Sequence, residues 1–301
     1  MASAAATTDP NTFERRSVSM RRPADARLPT SAFTVDVEDW YQSCWDFDAP
    51  ISERVIRNVE RILQMLADSG VRGTFFIQGR VAETFPGLVE TIVGQGHEVQ
   101  SHGYSHRPLF GMNHAELRDE LERAKKTVED AAGVEVTSFR APDFSIRRNN
   151  LWALRVLSEV GFRTDSSVFP MRTRRYGVGG SPLAPHRVSV GDAEILEVPV
   201  AIWSRAGFRV PMAGGGYFRL IPRAAIERGI RSIVACGRPA IVYCHPYEFA
   251  PRELDDYPDV PRRLRVSQSL GRKAFSRRVE HVLSTGSFGS MSDVLAAWGI
   301  A

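Results

Sequence analysis

The feature that most constrains this chain is an alternation between residues 31 and 165. Short apolar runs and amphipathic helical stretches follow one another at steps of about 30 residues. Ala32-Phe33-Thr34-Val35 reads as a strand. Ser52 caps a helix whose positions Val55, Ile56, Val59, Ile62, Leu63 and Leu66 share one apolar face, and Gly70 ends it. Residues 71–77 are β-branched and aromatic and predict the next strand. Pro86 opens a second helix, and residues 97–100 form a further strand. Asn113 and Glu116 make a capping box for a helix carrying Leu117, Leu121, Ala124 and Val128 on one side. Strands at 137–140 and 162–164 flank a helix over 150–160. Such a pattern predicts an α/β fold of parallel strands joined by crossover helices.

The second half is less regular. Residues 186–190 and 194–198, joined by Gly191-Asp192, predict a hairpin. Pro222 opens a helix to about Ala235, and Ala240 to Cys244 is an apolar strand. Residues 251–301 read as a helical extension of the same domain, closed by a helix over 290–298. Its stretch 252–278 carries Arg262, Arg263, Arg265, Arg272, Lys273, Arg277 and Arg278, which predicts a solvated basic face or a contact with an acidic polymer or membrane surface. Residues 1–30 lack an apolar period and are expected to be a disordered tail, leaving 31–301 as a single domain.

With 43% apolar and 25% charged residues the chain is an ordinary globular protein, so a fibre, a coiled-coil rod or disorder throughout is excluded. No apolar run approaches the length of a membrane span. The pairs Arg15-Arg16 and Arg21-Arg22 are not followed by an apolar segment, so no signal peptide is expected and the predicted location is cytoplasmic, with the inner membrane face as the place of any peripheral contact. A net charge of +4 is too small to predict nucleic-acid binding. Cys44, Cys236 and Cys244 form no paired motif, and Cys44 and Cys244 are expected to be small buried hydrophobes.

Ionisable residues collect where strands end, the usual place for function in parallel α/β folds. The first strand runs into Asp36-Val37-Glu38-Asp39, the fourth into His102 and His106, the fifth into Arg140, the next into Asp165 and a late one into His245. Two histidines four apart share a side if the chain turns helically, and with one carboxylate they make an open site for a divalent ion. Three acids within four residues repel one another unless a cation intervenes. In extended chain Asp36 and Glu38 point one way, whereas a turn brings Asp39 to the site instead. His245 facing such a site is a candidate general acid. His97, His114, His186 and His281 lack such company and read as structural or surface groups.

These motifs resemble the polysaccharide deacetylase family, carbohydrate esterase family 4, with its NodB homology domain. Thr34-Val35-Asp36-Val37-Glu38-Asp39-Trp40 is similar to the motif that supplies a base and a metal-binding acid. Ser101-His102-Gly103-Tyr104-Ser105-His106 is similar to the His-x-x-x-His metal motif. Phe139-Arg140-Ala141-Pro142 resembles the motif whose arginine orients the base, and Val242-Tyr243-Cys244-His245-Pro246 the motif that supplies the acid histidine. The wording Asp-Val-Glu-Asp-Trp, with Asp165-Ser166-Ser167 and His245-Pro246, is most similar to the branch linked with exosortase and exopolysaccharide loci.

The resemblance implies a distorted (β/α) barrel of about seven parallel strands. It implies Asp36 as base, His245 as acid, Arg140 as the orienting group and Asp165 as the acid that pairs with His245. His102, His106 and either Glu38 or Asp39 would hold one divalent ion, zinc first, with cobalt or another divalent ion as alternatives. The implied reaction removes N-acetyl groups from amino sugars of a polysaccharide or of a lipid-linked oligosaccharide. Trp40, Tyr41, Trp45 and Tyr217 are candidate stacking faces for sugars or core residues. Two other readings are a cyclic-amide or formamide hydrolase on the same scaffold, favoured by a small closed pocket, and an inactive sugar-binding protein.

Overall fold

In the computed structural model, residues 13–173, 175–190 and 193–300 are described. The strands are β1 (Glu14–Ser17), β2 (Ser31–Val37), β3 (Thr74–Ile77), β4 (Glu98–Ser101), β5 (Ser138–Phe139), β6 (Thr164–Asp165), β7 (His186–Val190), β8 (Ala193–Glu197), β9 (Ile202–Arg205), β10 (Phe208–Pro211), β11 (Ala240–Cys244) and β12 (Phe288–Gly289). The main sheet runs β1-β7-β8-β6-β5-β4-β3-β2-β11, with β12 added to β2. From β8 to β11 every neighbouring pair is parallel, which makes seven parallel strands in a row.

The chain after β8 spans the gap between the ends of this row. Val198 donates its N–H to Asp165 O at 2.7 Å, and Ala201 donates to Ile241 O at 2.8 Å. The result is a distorted (β/α) barrel with helices outside.

Burial explains the strand composition. All seven residues of β2 are buried, as expected of a strand covered on both faces. Helix Arg54–Ser69 buries Val55, Val59, Ile62, Leu63 and Leu66, and Gly70 closes it at φ 63, a conformation costly for residues with a Cβ. Each such fully buried aliphatic side chain contributes about 1.5–3 kcal/mol. Ser52 is not the cap of this helix: Glu53 stands there, and Ser52 bonds to Asp39 instead. The capping box of Asn113 and Glu116 forms as read, opening helix His114–Ala132.

Two expectations change. Residues 14–17 of the expected tail form β1, antiparallel to β7, and Phe13, Val18 and Met20 pack on the core; the pairing is long-range and leaves no local periodicity to read. Residues 1–12 of that tail lie outside the described residues. The hairpin of β7 and β8 forms, its turn residues Gly191 and Asp192 also lying outside. The second hairpin, β9 with β10, was not anticipated. The C-terminal extension holds helices Arg262–Ser269, Phe275–Thr285 and Met291–Ala297, and β12 returns it to the barrel beside β2.

Candidate functional site

Asp36 is the penultimate residue of β2, and Glu38 follows the strand. Both are buried. Asp36 Oδ1 accepts from Arg140 Nη1 at 2.7 Å. Arg140 is fully buried, its guanidinium 4.2 Å from the centre of the Phe76 ring. The same guanidinium donates to Thr34 Oγ1 at 2.7 Å and to Ser166 Oγ at 3.1 Å. Thr34 and Asp36, two apart on one strand, therefore share a face and hold one cation between β2 and the end of β5.

His102 and His106 meet with ring centres 5.2 Å apart. They are not on a helix: the loop turns through Gly103 at φ 73 and His106 at φ 64. Of the four non-glycine residues with positive φ among those described, His106, Asp143 and Phe144 all border this site, where strain of this kind tends to collect. Each histidine offers Nδ1 to a main-chain carbonyl, His102 to Arg140 O at 2.8 Å and His106 to Ser43 O at 3.1 Å. With Nδ1–H donating, Nε2 of each ring is left with its lone pair toward Glu38, the arrangement typical of metal-binding histidines.

The Nε2 atoms of both rings and a Glu38 oxygen lie within 4.8 Å of one another. His106 Nε2 faces Glu38 Oε2 yet, although buried, makes no hydrogen bond of acceptable geometry. A buried ring nitrogen in that condition beside a carboxylate fits a cation between them. Burial opposes the charge of Glu38, but His106, His102 and His245 together hold its carboxyl well below the usual range.

Of the two acids left open by the sequence, Glu38 is the one beside the histidines. Asp39 turns away. Its Oδ1 accepts from Tyr41 N at 2.9 Å and Gln42 N at 3.2 Å, capping helix Trp40–Cys44, and its Oδ2 accepts from Ser52 N at 3.1 Å.

His245 lies across the cavity, with Nε2 4.0 Å from Glu38 Oε1. Its ring stacks on Tyr247 at 5.0 Å between centres. Its expected partner, Asp165, is elsewhere. Asp165 accepts from Ser167 N at 3.2 Å and sits beside the buried Glu197 of the neighbouring strand β8. The carboxylate on His245 is Glu248, which accepts from both Nδ1 and the backbone N–H of His245 at 3.1 Å and is paired with Arg219 at 3.1 Å. Burial opposes charge on His245, but the Glu248 bond and the charges of Glu38 and Asp36 push it up to about 9. Glu248 was legible in principle: an acid three residues after His245, behind Pro246, is a capping-box spacing.

Asp36, Glu38, His102, His106, His245 and Glu248 line one cavity of about 210 Å³ together with Cys44, Asp143, Arg175, Tyr176 and Tyr243. Asp143 accepts from Arg175 at 2.7 Å. Cys44 is exposed here rather than buried, and Cys244 is buried as expected. Trp40 is core, Tyr41 and Tyr217 are half-buried, and Trp45 is the exposed member of the four aromatics.

Residues 46–164 match the family model described as polysaccharide deacetylase, and residues 166–296 match a domain of unknown function (DUF3473). Asp36 and Glu38 precede the first match, and His245 falls in the second. Among curated relatives, the peptidoglycan-N-acetylglucosamine deacetylase of Bacillus cereus is 35% identical over 94 residues, 31% of this chain and 34% of that protein. The peptidoglycan deacetylase of Helicobacter pylori is 29% identical over 172 residues, 54% of each. The chain thus matches about a third to a half of these relatives' lengths.

A solved structure from Mycobacterium smegmatis, assigned as a polysaccharide deacetylase, aligns over 95% of both chains with a TM-score of 0.63 at 23% identity. Puue allantoinase aligns over 92% of this chain and 91% of its own with a TM-score of 0.59 at 17% identity, a likeness of fold alone. The chain thus carries a polysaccharide deacetylase domain over residues 46–164, and the segment that matches the domain of unknown function completes the barrel.

Proposed function

We propose that the protein is a divalent-metal-dependent hydrolase that removes N-acetyl groups from amino sugars of a polysaccharide or its lipid-linked precursor. The observation that carries this reading is the meeting of Glu38, His102 and His106 with Asp36 and His245 around one cavity. Glu38 and the two Nε2 atoms would hold the ion, zinc by the character of the donors. When bound, such an ion supplies Lewis acidity and makes water acidic enough to lose a proton near neutral pH.

Asp36 takes that proton. Arg140, locked by Thr34 and Ser166, keeps the Asp36 carboxylate aimed at the cavity. On the far side His245, held protonated by Glu248, delivers a proton to the departing amine as the C–N bond breaks. The water oxygen bonds to the acetyl carbon as the C–N bond breaks; with one proton taken at the water and one given at the nitrogen, the products are the free amine and acetic acid, which ionises to acetate. The domain of unknown function is consistent with the exopolysaccharide-locus branch, which supports an exopolysaccharide or lipid-linked glycan as substrate.

The small cavity favours a second reading, hydrolysis of a compact cyclic amide, and favours a short or terminal sugar over the interior of a long polymer. The test is metal content of the purified protein with acetate release from N-acetylglucosamine oligomers before and after chelation. About one ion per chain with chelator-sensitive acetate release supports the deacetylase. Bound metal with no acetate, but turnover of a cyclic amide, replaces it by the second reading. Neither metal after reloading nor product removes the mechanism.

A further inference from the structure

Eight large hydrophobic side chains are exposed among the described residues, and four of them stand one or two residues along the chain from side chains that line the catalytic cavity. Trp45 (40% exposed) follows Cys44, Leu220 (68%) follows Arg219, and Val266 (55%) and Leu270 (53%) each stand two residues from Gln268. Cys44, Arg219 and Gln268 all line the cavity. Leu220 and Leu270 are brought to one place because Gly271 lies directly against the Arg219 peptide; a Cβ on Gly271 would meet Arg219 O at 2.4 Å.

Charge collects in the same C-terminal segment. Residues 260–279 hold seven cations and no acid. Helix Arg262–Ser269 buries none of its residues. Its positions 262, 265, 266 and 269 share one face and line a groove with Leu270 and Lys273, opposite Pro251 and Asp255. Arg262, Arg263 and Lys273 are exposed, whereas Arg272 is buried and bonded to Tyr247 O. Of the nearby acids, Asp256 pairs with Arg54 and Asp259 accepts from Tyr41 and from Trp45 Nε1 at 3.0 Å, which leaves Asp255 as the acid facing the groove. No helix among the described residues is long and apolar enough to cross a membrane.

We infer that this face, formed by helix Arg262–Ser269 with Leu220, Leu270 and Lys273, is a docking face for an anionic lipid surface beside the cavity. The inference extends the lipid-linked part of the function proposed above. An anionic polymer would account for the cations but not for Leu220, Val266 and Leu270. A second copy of the chain would account for the apolar groups but would bring two cationic faces together. Lipid headgroups over acyl chains satisfy both, in the manner of peripheral amphipathic segments.

The test is co-sedimentation of the full chain with vesicles of phosphatidylcholine, with and without about 30% phosphatidylglycerol, at ~0.1 M and ~0.5 M salt. Such vesicles contain no glycan, so binding is read independently of deacetylation. Binding to the anionic vesicles that salt weakens is expected. The triple variant Arg262→Glu, Arg263→Glu, Lys273→Glu should lower the partition at least about a hundredfold, since each cation is worth about fivefold. Val266→Ser with Leu270→Ser should also weaken it, while melting temperature and any turnover of soluble acetylated oligosaccharides stay unchanged. No sedimentation with anionic vesicles at low salt overturns the inference. So does undiminished binding by the serine variant together with tight retention on an acidic polymer. A dimer dissolved by Leu270→Ser, with no vesicle binding, overturns it in favour of self-association.

Discussion

Replacing Arg140 by methionine is the most informative perturbation of the frame that holds the site. The side chains of Arg140 and Asp36 are 0% and 3% exposed, and their contact is 2.7 Å. Methionine keeps the apolar stem against Phe76 and removes the charge. Thr34 and Ser166 are not orphaned, because each hydroxyl still donates, to Val242 O at 2.8 Å and to Val198 O at 2.7 Å. What remains is a buried Asp36 without its partner, and breaking a buried pair in this way costs about 3–5 kcal/mol. For a chain of this size that is a fall in melting temperature of roughly 6–10 °C. Adding Asp36→Asn removes the stranded charge, so the double variant should recover most of the loss. The assay is thermal unfolding followed by circular dichroism on chelator-treated protein near neutral pH, since a bound cation would offset the stranded charge. A single variant within about 2 °C of the parent, or a double variant less stable than the single, would refute the pairing argument.

Three further outcomes follow from the geometry. Glu38→Gln should lose bound metal, whereas Asp39→Asn should keep it with little loss of stability, since asparagine caps a helix about as well as aspartate; the reverse pattern in metal analysis would exchange their roles. Asp36→Asn should retain metal but lower acetate release about 10²–10⁴-fold, and a rate near the parent's would exclude it as base. Burial first, then the charge of Asp165, raises the Glu197 carboxyl well above 4.5, so its contribution to stability is fully present below 4.5 and is lost as pH rises and the unfolded chain ionises while the folded chain does not. Glu197→Gln should therefore flatten the fall in melting temperature between about pH 5 and pH 8 and stabilise the protein at the upper end, and an unaltered slope would rule the pair out as its source.

How much of this was legible in the chain depends on the range over which each feature is decided. Helices Arg54–Ser69 and His114–Ala132 declare themselves through 3.6-residue spacing and local caps. Asp36, Glu38, His102, His106, Arg140 and His245 could be read because each lies at or beyond the end of a strand, and parallel strands end on one side of the sheet. The partner of His245 was misplaced on Asp165. Nothing in a strand-end residue says which neighbour it faces, whereas Glu248 three residues on was available as a local pattern.

The sequence by itself determined the alternation of strand and helix, the convergence of ionisable groups at strand ends, and the basic run of residues 260–279. These rest on backbone periodicity and local composition, which need no partner from afar. Only the tertiary structure decided that Glu38 rather than Asp39 meets the histidines, because helix Trp40–Cys44 takes both oxygens of Asp39 for its cap and for Ser52. It alone joined β1 to β7 and carried the segment after β8 across to β11, since such pairings are set by long-range packing. It alone also brought Leu220 beside Leu270, far apart in the chain, through the close approach of Gly271 to the Arg219 peptide.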